Sequence, residues 1–183
     1  MTPEPEKALV EKAKSDSEAF GRLFDEYYSK IFGYVLRRTG DVEIARDVVS
    51  ETFLKALKNL WRFRWQGAPF SAWLYRLASN EIPNFFRQKK PVVGLDKLGD
   101  PVFSADLFEE IMLAEEKLKE HKEFLEVQKQ ILLLDQRYQA VISLRFFEKK
   151  QIKEIAQILG KSEGTIKSLL HRGLTKLRNQ IKA

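Results

Sequence analysis

QIKEIAQILGKSEGTIKSLLHRGLTKLR, residues 151–178, holds two helical patterns divided by a tight turn. Ile152, Ile155, Ala156 and Leu159 recur at spacings of three and four and so line one face of a short helix. Gly160-Lys161-Ser162 stops that helix, and the Ser162 hydroxyl is suited to cap the next one. From Glu163 to Gln180 the apolar positions Ile166, Leu170 (or Leu169), Leu174 and Leu177 continue at helical spacing. Thr165, Lys167, Ser168, His171, Arg172 and Lys176 fall on the polar side. A short supporting helix, a glycine turn and a basic second helix make the helix-turn-helix plan, with the second helix sized for the major groove. Ala156 suits the close crossing of the two helices. The expected DNA contacts are Ser162, Thr165, Lys167, Ser168, His171, Arg172 and Lys176. Gly160-Lys161-Ser162 also looks like the end of a phosphate-binding loop. Ile155 stands where that loop needs a glycine, however, and no strand precedes it.

Upstream, Trp61 to Tyr75 concentrates six aromatic side chains: Trp61, Phe63, Trp65, Phe70, Trp73 and Tyr75. All three tryptophans of the chain lie here, interleaved with Arg62, Arg64 and Arg76. Rings stack on unpaired bases and cations hold phosphates, so this composition suits a melted strand. Core packing is the competing reading for Phe70 and Trp73.

Between these landmarks the chain reads as helical. Phe20, Leu23, Phe24, Tyr27, Ile31, Tyr34 and Val35 make one stripe over about Ser17–Arg38. Thr39-Gly40-Asp41 ends it, and Asp41 is placed to cap a helix over about Val42–Leu60. There Val49, Phe53, Leu57 and Leu60 form the apolar side, with Asp47, Glu51, Lys55 and Lys58 opposite. A turn at Gln66-Gly67-Ala68-Pro69 leads to a helix over about Phe70–Gln88, in which Pro83 predicts a kink or local break. Pro91 to Asp106 reads as a linker. A helix starting near Asp106 runs towards Leu134, and Gln136–Phe147 precedes the helix-turn-helix. The expected fold is all-α, with two small helical domains, residues 1–90 and 128–183, joined by residues 91–127.

Charge follows the same division. The 183 residues carry a net +6, split as +4 over residues 1–90, −6 over 91–127 and +8 over 128–183. Two basic parts flank an acidic one, which suits two surfaces for a polyanion joined by a segment that avoids it. With 44% hydrophobic and 32% charged residues the chain is neither disordered nor fibrous. The absence of cysteine excludes disulfides, a thiol nucleophile and thiolate metal sites. His121 and His171 have no partners at metal-ligand spacing. Carboxylate pairs such as Asp47/Glu51 and Glu115/Glu116 sit on lysine-rich helices as salt-bridging faces rather than acid/base dyads. No enzymatic activity, cofactor, metal or small-molecule substrate is expected. The opening Met-Thr-Pro-Glu-Pro-Glu lacks a basic start and an apolar stretch, and the longest central apolar run is Ile131–Leu134. A cytoplasmic protein with no direct membrane insertion is therefore expected.

Ala19-Phe20 with Tyr27-Tyr28, Ala45-Arg46-Asp47-Val48-Val49 with Glu51-Thr52-Phe53, Phe70 with Trp73-Leu74-Tyr75-Arg76, and Asn80 follow in order. Leu144-Arg145-Phe146-Phe147-Glu148, Glu154-Ile155-Ala156 and Gly164-Thr165-Ile166-Lys167-Ser168 complete the set. In order and spacing, over about two-thirds of the chain, it resembles the bacterial sigma-70 family of transcription initiation factors. Within that family it resembles the small extracytoplasmic-function (ECF) group, which keeps only the promoter-melting and the −35-binding domains. The resemblance implies that Asp47, Glu51, Phe53 and Lys55 bind the β′ clamp helices of core RNA polymerase and that the C-terminal domain meets the β flap. Arg62, Phe63, Arg64, Trp65, Phe70, Trp73, Arg76, Asn80, Asn84 and Arg87 would open the −10 element of promoter DNA and hold an extruded base. The helix from Glu163 would read the −35 element. An anti-sigma factor is a further implied partner. Ser50, Pro83, Leu169 and Leu174 depart from the usual pattern, and the two leucines imply fewer contacts from the recognition helix. A stand-alone helix-turn-helix regulator is the alternative, and it leaves the aromatic-arginine loop unexplained.

Overall fold

The computed structural model describes residues 3–65, 68–88 and 118–182, and the side chains of residues 5–65, 68–87 and 125–181. Gln66, Gly67 and residues 89–117, which include most of the acidic linker, lie outside the described residues, as does the side chain of His121. Among the described residues there are eight α-helices and no strand. No described helix is long and apolar enough to cross a membrane.

The N-terminal half comprises α1 (Pro3–Ala13), α2 (Ser17–Thr39), α3 (Val42–Asn59), a 3₁₀ turn (Leu60–Arg62) and α4 (Phe70–Gln88). The C-terminal half comprises α5 (Leu118–Leu132), α6 (Gln136–Ile142), a π turn (Ser143–Phe147), α7 (Ile152–Leu159) and α8 (Glu163–Lys182). The caps are local chemistry. Asp16 accepts from the amides of Glu18 (2.9 Å) and Ala19 (3.3 Å), and Asp41 from that of Ile44 (2.9 Å). Gly40 and Gly160 close α2 and α7 in the left-handed region, at φ 67° and 62°.

Three patterns depart from expectation. Leu57 is not core; it is 48% exposed, and Val48, Thr52 and Ala56 fill the buried face of α3 instead. Leu174 is exposed on α8, where Ile166, Leu170 and Leu177 are buried. Pro83 does not break α4, which runs through it as one element. Its ring is exposed, so it removes one hydrogen bond without displacing a packed neighbour. The first helix, α1, gave no apolar stripe of its own in the sequence, yet Leu9, Val10 and Ala13 bury against the N-terminal half.

The two halves pack together through α2 and α4. From Ile31 to Leu36 α2 is buried on every side, as befits a helix with neighbours all round. At its end Gly40 approaches α5 so closely that an added Cβ would lie 2.8 Å from Leu132 Cδ1. Gly40→Ala therefore faces both a left-handed backbone and a clash. A loss of about 1–2 kcal/mol from the backbone alone is expected in thermal unfolding.

Polar groups lock the same junction. Arg37 of α2 donates from Nη2 to Glu148 Oε1, and the Tyr75 hydroxyl of α4 donates to Glu148 Oε2. The Glu148 side chain is 9% exposed and that of Arg37 21%. Burial, and then the Glu148 charge, push the Tyr75 phenol far above its ordinary pKa, so it stays protonated and donating. Gln128 Nε2 donates to the Arg37 carbonyl (2.6 Å) and Arg38 Nη2 to the Gln136 carbonyl (3.3 Å).

Candidate nucleic-acid interface

The helix-turn-helix forms from the residues that announced it. Glu154 accepts from the Gln151 amide (2.8 Å) at the head of α7, and the Lys161 amide donates to the Ala156 carbonyl (3.0 Å) across the glycine turn. Ser162 Oγ accepts from the Thr165 amide (3.2 Å) and shares a hydrogen bond with the Thr165 hydroxyl (2.9 Å). Those two side chains thus hold the start of α8 as well as facing outward. Gly173 lets α8 cross α6 closely, since a Cβ there would lie 3.2 Å from Ile142 Cδ1 and 3.3 Å from Tyr138 Cβ. Ser162, just before α8, and Thr165, Lys167, Ser168, His171, Arg172 and Lys176 on it are all exposed. A row of cations on an exposed helix is a physical match to phosphates flanking a groove.

The aromatic-arginine segment divides into an inner and an outer set. Phe70 is wholly buried, and Phe63 and Trp73 are partly buried against it with ring centroids 5.4 and 5.5 Å away. Phe63 also meets Trp65 (6.4 Å) and Trp73 (5.1 Å). Trp61 is 59% exposed, with the Arg62 guanidinium 4.6 Å from its ring centre. Arg64 Nη1 donates to the carbonyls of Trp61 (2.9 Å) and Phe63 (3.2 Å), which folds the loop back on itself. Arg76, Asn80 and Arg87 are exposed along α4, and Asn84 half-exposed. Phe70 is therefore placed as the floor under the loop and cannot meet a base unless the core opens.

A groove of about 370 Å³ runs between α3 and α4, with Asp47, Glu51, Leu54, Lys55, Glu81 and Asn84 in its lining. Lys55 Nζ lies 2.6 Å from Glu81 and 3.4 Å from Glu51, and the Glu81 bond is the main reason its pKa is raised. Asn84 Nδ2 reaches Glu81 (3.5 Å) and its Oδ1 accepts from Arg87 (2.9 Å). The structure thus brings Asn84, expected at the −10 element, beside Glu51 and Lys55, expected at the polymerase. Phe53 does not line this groove; it is buried, with Phe24 at 4.7 Å. Sequence reasoning missed Glu81, whose only signal is an acid four residues ahead of the phenylalanine pair Phe85-Phe86. No group of acidic or histidine side chains able to hold a metal occurs among the described residues.

Residues 23–92 match the family model of sigma-70 region 2, and residues 131–179 that of sigma-70 region 4. The ECF RNA polymerase sigma factor SigW of Bacillus subtilis is 32% identical over 180 residues, which cover 96% of each chain. The ECF sigma factor BldN of Streptomyces coelicolor is 32% identical over 92% of this chain, which spans 63% of that protein. In fold, the chain is similar to CnrH, solved in complex with the cytosolic domain of CnrY (TM-score 0.68, 23% identity, 97% of both chains). It is also similar to RpoE of Bartonella quintana, solved with the anti-sigma factor NepR (TM-score 0.63, 18% identity, 90% of this chain and 97% of that one). An all-helical protein carrying regions 2 and 4 of this kind is a transcription initiation factor of the sigma-70 type. The chain belongs to the extracytoplasmic-function (ECF) group of that family.

Proposed function

We propose that the C-terminal half reads the −35 element through α8 and that the N-terminal half reads and melts the −10 element through the Phe63–Phe70 loop and the outer face of α4. As an ECF sigma factor the chain directs core RNA polymerase to promoters, and the chemistry of RNA synthesis belongs to the polymerase. It works in the cytoplasm, where that polymerase is. The carrying observation is the pair of separate DNA-suited faces on one chain: the exposed cationic row of α8, and the arginines and tryptophans around α4. The α3–α4 groove, with Asp47, Glu51 and Lys55, docks on the β′ clamp helices. The C-terminal half rests on the β flap. RpoE with NepR supplies the precedent for an anti-sigma partner.

The two faces cannot both work in the described arrangement. A Cβ at Gly160, in the turn before α8, would lie 3.8 Å from Arg76 Nη2 on α4. Elements centred near −35 and −10 are about 25 base pairs apart, or about 85 Å at a rise of about 3.4 Å per base pair of duplex DNA. The halves must separate to span them.

Run-off transcription with purified core polymerase tests the reading. Promoter-specific initiation is expected only when the chain is added. No initiation and no core complex, with tight duplex binding by the chain alone, would make it a stand-alone regulator. Trp73→Ala is expected to weaken binding to melted −10 DNA about 5- to 150-fold, the range for one base–aromatic stack. Thermal unfolding of the variant checks that the fold persists; global unfolding would place Trp73 with the core instead.

A further inference from the structure

We propose that Glu6 is a positioning residue for promoter melting: from the N-terminal helix its buried carboxylate fixes the first turn of α4, and with it the aromatic loop that receives the unstacked base. The proposal rests on the reading of that loop given above.

Glu6 is only 4% exposed although it is an acid. A buried carboxylate is costly unless its oxygens are hydrogen-bonded. Glu6 Oε1 accepts from the Tyr27 hydroxyl of α2 (2.6 Å) and from the Phe70 amide (3.1 Å). Phe70 is the first residue of α4. The opening amides of a helix have no partner within it, and a side chain just upstream normally supplies one. Here the two preceding residues are Ala68 and Pro69, and neither has a capping group. The cap comes instead from 64 residues away. A negative charge at this end also suits the helix dipole.

The consequence falls on the loop because the rings touch one another in series, edge-on or tilted. The Tyr27 ring meets the Phe70 ring edge-on at 5.7 Å, Phe70 meets Phe63 and Trp73, and Phe63 meets Trp65. Trp73 lies one turn beyond Phe70, and Arg76 and Asn80 follow on the same helix. A shift of the first turn therefore moves Phe63, Trp65 and Trp73, the rings on which an extruded base would stack. The polymerase-docking residues Asp47, Glu51 and Lys55 belong to α3 and the −35 surface to α8, and these stay in place.

The test uses full-length chain bound to core polymerase. Single-stranded −10 oligonucleotides, chosen from a random pool with the wild-type holoenzyme, are varied one base at a time. The readout is the ratio of affinities between the preferred base and its substitutes, which does not depend on the active fraction of protein. Glu6→Ala is expected to lower that ratio at the extruded position at least about fivefold, the lower limit for one lost stack. Glu6→Gln, whose amide oxygen still accepts, should recover most of it, and core binding should stay within about twofold of wild type. Leu9→Ala, which removes a buried side chain of α1 but no hydrogen bond to the Phe70 amide, should lower thermal stability and leave the ratio unchanged. A common loss on every oligonucleotide in Glu6→Ala, or a flattened ratio in Leu9→Ala, would overturn the proposal. Undiminished discrimination in Trp73→Ala would instead remove the loop reading on which it stands.

Discussion

Glu148→Ala is expected to loosen the two halves of the chain, so that separated halves become populated, with a loss of about 2–4 kcal/mol of the free energy that holds them together. The substitution leaves the Arg37 guanidinium without its carboxylate and the Tyr75 hydroxyl without its acceptor, both at a junction shielded from water. The pair is not fully buried, so the figure lies below that of a deep ion pair. Arg37 keeps the Phe147 ring at 5.3 Å, and Gln128 still reaches the Arg37 carbonyl, so the junction weakens without dissolving. Small-angle scattering checks the outcome. A compact chain of this length has a radius of gyration of about 16 Å, and separated halves exceed it by several ångströms. A radius and a melting temperature equal to wild type would show that apolar contacts such as Gly40 on Leu132 carry the junction alone.

The second large effect belongs to α8. The double variant Lys167→Ala/Arg172→Ala is expected to cut the salt dependence of −35 duplex binding by the holoenzyme by close to two phosphate contacts. Each contact contributes a slope of about 0.9 in log affinity against log salt. Over one decade of salt, that is about eightfold per contact. The loss should be similar on every duplex sequence, because phosphates carry no sequence information. Titration at several salt concentrations reads the slope directly. A slope equal to wild type would remove both residues from the interface, and a loss confined to one sequence would move them from phosphates to base edges.

What was legible in the sequence is what local chemistry decides. Ser162, Gly160 and Asp41 announce their turns because a cap or a left-handed residue acts within three positions of itself. Helical spacing likewise located α2, α3, α7 and α8. Spacing states that a face exists and does not state that something covers it. Leu57 and Leu174 occupy correct positions on a stripe, yet their neighbours on the fold leave them exposed. Composition marked Trp61–Tyr75 as one block, whereas packing sorts it into a floor and a rim. The charged residues were the least legible. Glu6 with Phe70, Arg37 with Glu148 and Lys55 with Glu81 pair across 64, 111 and 26 positions. Each looks, in the sequence, like one more solvated charge.

The burial of α2 on all sides has a consequence for how the protein breathes. The amides from Ile31 to Leu36 are enclosed by the N-terminal bundle and by the C-terminal half together. Parting the halves uncovers one flank of this helix and leaves its hydrogen bonds intact, so those amides should exchange with solvent deuterium only through complete unfolding. The amides of Glu148 and Lys150 are held differently, by the carbonyls of Ser143 (3.1 Å) and Leu144 (2.9 Å) in a turn where Lys149 has φ 53°. They should exchange by the smaller opening. The two sets of protons therefore time two separate motions in the same molecule, one at the centre of a helix and one at its clasp.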